Sequence, residues 1–230
     1  MKEIKLYGLQ RTFTNYLKFL LEKNYDCKVF ASIGGWKHGF YNLPDSLGKE
    51  LDVVICTKNP YAWLPSLHRY LKDFFEGDLP VFSKWLRSPL VLFAYGLFNK
   101  GKIDYYIRSA NPVQHWNNMN YHWSTIQLQS HKLITSRYED ILADAELEVE
   151  GMSEILEIQR KSKKFIDEER VFGKGDDAIT LIEKKKFNKK YYLEKKYLEK
   201  YDKKDIEFVE QQLSPVVMKR LGYFFEVFGS

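Results

Sequence analysis

The six residues Asp52–Thr57, Asp-Val-Val-Ile-Cys-Thr, constrain the fold more than any other part of the chain. The run is apolar without a polar–apolar alternation. It is too short for a helix that must bury all its faces. A strand covered on both sides fits it, and such strands belong to parallel sheets sandwiched by helices. The rest of the chain supplies the crossovers a parallel sheet needs. Ile4-Lys5-Leu6-Tyr7 stops at Gly8 and reads as a first strand. Phe13, Tyr16, Leu17, Leu20 and Leu21 then recur at helical spacing. Cys27–Ala31 reads as a second strand, and Leu64, Leu67, Leu71, Phe74 and Phe75 mark a helix after the central one. Gly34-Gly35 and Asn42-Leu43-Pro44 read as loop. Leu133–Ser136 reads as a late strand, with Tyr138-Glu139-Asp140 opening a short helix. The expected fold is a three-layer α/β/α sandwich around a central parallel sheet. The aromatic region 76–110, broken by Pro80, Pro89 and Gly101, reads as helices and loops, and 113–129 as a helix. From about residue 150 to residue 230 the chain reads as helical and lysine-rich. Asp202 and Ser214-Pro215 stand where helices start. Residues 1–230 read as a single domain.

Composition narrows the function classes. At 230 residues and 44% hydrophobic content the chain can bury a sizeable core, and 16% aromatics argue against disorder. There is no run of 18 apolar residues, and the N-terminus enters a strand rather than an apolar leader. A cytoplasmic protein without a membrane span is expected. The two cysteines, Cys27 and Cys56, sit in apolar strands and read as buried free thiols suited to a reducing compartment. No residues have metal-ligand spacing. The net charge of +5 suits an anionic ligand without choosing among nucleotide, nucleic acid and membrane surface. Ten lysines against three acids lie between Lys184 and Lys204. Such a run describes a solvated helix face. The interleaved Tyr191, Tyr192, Tyr197 and Tyr201 describe either a packed face or a stacking platform for nucleic acid.

Three segments carry candidate chemistry. Gly8–Leu17 joins a strand to a helix N-terminus, where unpaired N–H groups and the helix dipole attract anions. Arg11 adds a permanent forked charge, and Thr12, Thr14 and Asn15 add short polar groups. Alone, the segment describes a capped helix with a surface arginine equally well. It lacks the Gly-Lys-Ser/Thr of a Walker loop. Lys58–Ser66 follows the buried strand and brings an ammonium and a hydroxyl to the same edge of the sheet, the edge at which parallel α/β sheets bind ligands. Alone, it also describes an exposed lysine before a helix. Gly35–Gly39 carries His38, a side chain suited to proton transfer near neutral pH, with Lys37 beside it.

Taken together, these segments resemble the sulfotransferases that use 3′-phosphoadenosine 5′-phosphosulfate. Arg11-Thr12-Phe13-Thr14-Asn15-Tyr16-Leu17 is similar to their 5′-phosphosulfate loop, Pro-Lys/Arg-Ser-Gly-Thr-Thr/Ser-Trp/Tyr-Leu. Lys58-Asn59-Pro60, with Ser66 eight residues after the lysine, resembles their 3′-phosphate motif. Lys37-His38 resembles the segment with their catalytic histidine. Arg137-Tyr138-Glu139-Asp140 and Leu221-Gly222-Tyr223 resemble later family signatures. The elements run in family order from residue 8 to residue 223. The chain departs from the pattern at Gln10 for proline, Phe13 for glycine and Lys58 for arginine. The family's C-terminal Arg-Lys-Gly has only a poor counterpart in Arg170, Gly173, Lys174 and Gly175.

The resemblance implies a P-loop NTPase-like sheet and in-line transfer of a sulfuryl group from the nucleotide to an acceptor hydroxyl, without a metal. His38 would act as base, with Arg11 and Lys37 stabilising charge at the transferring group. Thr12, Phe13, Thr14 and Asn15 would hold the 5′-phosphate, and Lys58 and Ser66 the 3′-phosphate. Tyr16 and Tyr138 would contact the nucleotide, or equally be core. Two other readings compete with this one. One is a nucleotide kinase, which needs a Lys-Ser/Thr pair and a strand-end carboxylate for magnesium. The other is a basic adaptor for nucleic acid or an anionic surface. The acceptor is not specified; the aromatics from Phe74 to Tyr106, including Trp85, Phe93, Tyr95 and Phe98, suit a carbohydrate cleft or a core.

Overall fold

The computed structural model describes residues 1–33, 35–40, 51–74, 79–95, 103–128, 131–167, 171–172, 181–183 and 188–226. Gly34, Asn42–Pro44, Phe75, Phe98 and the Arg170, Gly173–Gly175 segment lie outside them. The chain is an α/β protein. Strands β1 (Lys2–Gly8), β2 (Cys27–Phe30) and β3 (Asp52–Thr57) join β6 (Leu133–Arg137) in a four-stranded parallel sheet of order β2-β1-β3-β6. The antiparallel pair β4 (Leu90–Tyr95) and β5 (Ile103–Ser109) stands apart from it.

Every residue of β3 is buried, as its unbroken apolar run requires. Alternate strand residues feed two cores. Ile4, Leu6, Val54 and Cys56 pack on one face with Leu17, Leu20 and Leu21 of α1 (Thr14–Asn24) and with Val149 and Met152 of α6 (Ala145–Leu156). Tyr7, Val53 and Ile55 pack on the other face. There they meet Trp63, Leu64 and Leu67 of α2 (Pro60–Phe74) and Trp116, Met119 and Trp123 of α4 (Pro112–Ser124). The C-terminal helices α8 (Lys203–Gln212) and α9 (Pro215–Arg220) add Ile206, Val209, Val217 and Met218 to this second core. Both start as the capping residues dictate: Asp202 accepts from the Asp205 N–H and Ser214 from the Val217 N–H.

This topology decides where a ligand can go. From β1 the chain passes through α1 to β2 on one side; β3 lies on the other side of β1, and its helix α2 covers the opposite face. The loops leaving the carboxyl ends of β1 and β3 therefore diverge and open a crevice, the place where open α/β sheets bind ligands. Gly8 ends β1 there. A Cβ at Gly8 would lie 2.7 Å from both the Cys56 carbonyl oxygen and the Thr12 hydroxyl, so only glycine lets the two strand ends and the loop close up.

Two expectations are corrected. The 76–110 region is not helices and loops alone: it holds the short α3 (Phe82–Leu86) and then the β4–β5 hairpin. Pro80 and Pro89 stand outside the strands. Buried Leu90, Leu92 and Ile107 alternate with exposed Phe93 and Tyr106, the period of a half-buried ladder. The segment after residue 150 is not wholly helical, because β7 (Val171–Phe172) and β8 (Leu181–Glu183) pair antiparallel. Cys27 and Cys56 are free and buried. Burial, with Glu22 nearby, pushes the Cys27 thiol up to about 12, and burial holds Cys56 well above its ordinary value. Both stay protonated and unreactive at neutral pH. Among the described residues no helix is long and apolar enough to cross a membrane.

Candidate functional site

The loop after β1 makes a tight return. Thr12 donates through its backbone N–H (3.2 Å) and its hydroxyl (2.6 Å) to the Leu9 carbonyl. Trp63 Nε1 holds the Gln10 carbonyl at 2.7 Å. Arg11 and Phe13 both adopt the left-handed region, with φ of 68° and 57°. Phe13, where the resemblance would expect a glycine, is thus held in a conformation that glycine adopts without strain. Such a residue costs about 1–2 kcal/mol. The Phe13 ring offsets part of this by packing on Tyr138, with centroids 5.4 Å apart. No side chain caps the start of α1. Thr14 opens the helix, and Asn15 and Tyr16 complete its first turn. Arg11 is exposed just before them, its guanidinium 5.5 Å from the Tyr70 ring. Thr14 is buried at the first turn. Asn15 accepts a hydrogen bond from Lys37 Nζ at 2.5 Å. Tyr16 is buried in the α1 core and its hydroxyl bonds to Asp167, so it does not join this cluster.

The segment carrying His38 folds back over the end of β1. Gly8 N–H donates to the Lys37 carbonyl at 2.9 Å, and His38 Nδ1 meets the Gly8 carbonyl at 2.5 Å. A carbonyl only accepts, so Nδ1 carries the hydrogen and the lone pair sits on Nε2. Lys5, fully buried, ties the start of this segment down through bonds to the carbonyls of Ala31 (2.8 Å) and Gly35 (2.7 Å). Trp36 stands edge-on to the imidazole at 5.2 Å and stacks on Tyr105 at 5.9 Å. Burial, with the Lys37 ammonium next, pushes His38 down to about 3. Burial likewise pushes His115 down to about 4; its Nδ1 meets Ser109 Oγ at 3.1 Å and its Nε2 has no partner among the described residues.

Both imidazoles are neutral in the folded chain, whereas unfolded histidines take up a proton below their ordinary value of about 6.5. Acid therefore favours the unfolded state. Stability should be full above that value and fall as the pH drops towards the folded values, by at most about 1.4 kcal/mol per pH unit per histidine. Thermal melts between about pH 7 and pH 5 measure the slope, and His115→Phe should make it shallower.

The second anion candidate sits across the crevice. Asn59 caps α2 by accepting the Tyr61 N–H at 2.9 Å, and Pro60 follows at the first helical position. Lys58 precedes them, its carbonyl held by Trp116 Nε1 at 3.0 Å. Its ammonium lies 4.4 Å from the Tyr138 ring and 4.2 Å from the Tyr192 ring. Burial pushes it below its ordinary value, against a hydrogen bond with Tyr192. Ser66 is buried in α2 and lines a cleft of about 310 Å³ with Arg69, Lys72, Tyr191, Tyr192 and Lys200. Burial alone would raise the Tyr192 phenol, but the charges of Lys58, Arg69 and Arg11 overcome it and hold it below its ordinary value. Among the described residues no carboxylate lies within ion-pair distance of Arg11, Lys58 or Arg69.

Two later segments lock this arrangement. Glu139 accepts the Asn59 N–H at 3.0 Å and the Tyr223 hydroxyl at 3.0 Å. Arg137 donates to Gly222 O at 2.7 Å and pairs with Asp140 at 2.8 Å. The Arg137–Asp140 and Leu221–Tyr223 signatures thus clasp each other beneath Lys58. Arg69 escaped the sequence reading, and Tyr192 entered it only within the lysine-rich stretch, not as a partner of Lys58. Arg69 could have been found, because it lies one helical turn beyond Ser66 on the same face. Tyr192 could not, since nothing near residue 58 points to a partner in α7 (Lys189–Leu193). Trp85 is core, and Phe93 is half exposed on the hairpin. Among the described residues no group of three or more His, Cys, Asp or Glu is arranged to hold a metal ion. No protein-family model, curated protein or solved structure matches the chain.

Proposed function

We propose that the protein is a sulfotransferase that takes a sulfuryl group from 3′-phosphoadenosine 5′-phosphosulfate, on a P-loop NTPase-like three-layer α/β/α framework. One observation carries the reading: Lys58 lies 4.2 Å from the Tyr192 ring, Arg69 lines the cleft beside that ring, and Arg11 stands at the neighbouring loop, with no ion-paired carboxylate on any of the three among the described residues. Gathering three cations is unfavourable unless a ligand brings several negative charges. The donor brings them at both ends. The uncapped start of α1 and Arg11 suit the phosphosulfate end, with Thr12, Thr14 and Asn15 around it. Lys58, Ser66 and Arg69 suit the 3′-phosphate, and Tyr138 the nucleotide between the two.

His38 stands at β1's end, and its Nε2 has no hydrogen-bond partner among the described residues. The acceptor oxygen attacks sulfur, the bond from sulfur to the bridging phosphate oxygen breaks, and the acceptor proton passes to Nε2. The negative charge of the donor raises the imidazole from its ligand-free value, which makes it a stronger base when needed. Lys37, held on Asn15, links this segment to the anion loop and adds positive charge near the transferring group. Trp36 and Tyr105 form an aromatic wall beside the base, suited to a hydroxyl on a flat or sugar-like acceptor.

The adaptor reading loses its platform, because Tyr197 is buried in the core and Tyr201 is hydrogen-bonded to the Tyr61 carbonyl. Thermal shift decides the donor. Adenosine 3′,5′-bisphosphate should raise the melting temperature where AMP and ATP with magnesium do not. No shift with the bisphosphate, or a magnesium-dependent shift with ATP alone, rejects the reading. Arg11→Ala should reduce the bisphosphate shift and lower turnover by about 100-fold or more, the size of losing one donor to a developing anion. Initial rates of sulfate transfer measure that loss.

A further inference from the structure

Lys58 is 2% exposed although it stands at the edge where the sheet opens to ligands. Two rings hide it, and they are held very differently. Tyr138 belongs to α5 (Tyr138–Ala143), which is anchored through Glu139 and the Arg137–Gly222 clasp. Tyr192 belongs to α7, a five-residue turn with no buried residue. Its ring is held edge-on by Tyr138 at 5.0 Å and Tyr191 at 5.1 Å, and tilted on Tyr197 at 6.4 Å. One wall of the Lys58 site is therefore fixed and the other rests on side-chain contacts. Beyond Tyr192 lies the α2 cleft with Ser66, Arg69 and Lys200. A negatively charged group meets cations on both sides of the ring.

We propose that Tyr192 is an internal stand-in for a ligand oxyanion on Lys58, and that the Tyr191–Tyr192 turn lifts to admit a phosphate group from the α2 cleft. The phenol offers the ammonium a single hydroxyl oxygen and a ring face. A phosphate dianion offers charged oxygens, whose hydrogen bonds to an ammonium are about twice as strong as those of a neutral acceptor. It also reaches Ser66 and Arg69, which the phenol does not replace. The turn thus sorts ligands by charge: a group that offers Lys58 no more than a phenol leaves the turn shut. The identity of the ligand rests on the donor reading above, while the gate rests on Lys58 alone.

Lysine acetylation by acetic anhydride, read by peptide mass spectrometry on the full chain, tests it. In the wild type Lys58 should label far more slowly than exposed Lys72. In Tyr192→Ala it should label at least about tenfold faster than in the wild type, as a locally opened site does. Adenosine 3′,5′-bisphosphate should then protect it. Tyr192→Phe, which keeps the ring and loses the hydroxyl, should fall between the two and guards against a folding defect in the alanine variant. Lys58 labelling as fast as Lys72 in the wild type, or staying protected in folded Tyr192→Ala and unchanged in Tyr192→Phe, overturns the gate. If Lys58 opens in the variants but calorimetry finds no bisphosphate binding to any form, the gate stands and the donor assignment falls.

Discussion

His38→Ala is expected to lower the rate of sulfuryl transfer by about 100- to 10,000-fold, the range spanned by loss of a positioned general base. Binding of adenosine 3′,5′-bisphosphate should be nearly unchanged. The split follows from geometry. Among the described residues His38 meets the end of β1 through Nδ1 on the Gly8 carbonyl, and the Arg11 and Lys58 charges lie elsewhere. In the proposed mechanism its Nε2 acts on the acceptor. The pH profile adds a second mark. An imidazole pushed to about 3 is neutral across the usual assay range, so kcat/KM should show no acid limb from this base between about pH 5 and pH 8. A normal acid limb near the ordinary histidine value would assign the proton to another group. Single-turnover transfer rates and calorimetry on the same variant separate the two effects. If transfer survives intact, His38 is no base, and its bond to Gly8 only fixes the loop.

What could be read in advance follows the range of the interactions. The parallel sheet was legible because β3 advertises burial on both faces, and because α1 and α2 carry their apolar stripes at helical spacing. The crevice was legible because strand, loop and helix follow one another at Gly8–Leu17 and at Thr57–Ser66. The β4–β5 hairpin was not, because its apolar and aromatic residues alternate weakly and prolines lie close on one side. At the site, the near-sequence partners were visible and the distant ones were not. Thr12 closes on Leu9 within its own loop, and Asn59 caps the helix it precedes. The clamp from Glu139 to Asn59 spans 80 residues, and the Tyr192 cover on Lys58 spans more. Phe13 shows a third kind of gap. A phenylalanine gives no hint that its backbone is left-handed, yet the loop demands it there, and Tyr138 supplies the contact that holds it.

The clasp under Lys58 gives the largest stability effect. In Glu139→Ala the Asn59 N–H and the Tyr223 hydroxyl each lose an acceptor that is a half-buried carboxylate. Burial raises the Glu139 carboxyl from its ordinary value, opposed by its bond from the Asn59 N–H and by the Lys58 charge. Hydrogen bonds to a charged group contribute about 1.5–3 kcal/mol each, so the variant should lose about 3–6 kcal/mol. Tyr223→Phe removes one of the two bonds while keeping the ring against Trp116, 6.1 Å away. It should cost about 1.5–3 kcal/mol. Denaturant melts of the two single variants and the double variant form a cycle. The double variant should be little worse than Glu139→Ala, because the Tyr223 bond is already gone there. Simple additivity would mean that Tyr223 and Glu139 act apart. The same melts bear on function, since Asn59 caps the helix that follows Lys58. Losing its N–H partner frees the start of α2, so Glu139→Ala should weaken bisphosphate binding even at temperatures where the chain stays folded. A folded variant that binds as the wild type does would show that Lys58 is held by Trp116 and its own strand, without the clasp.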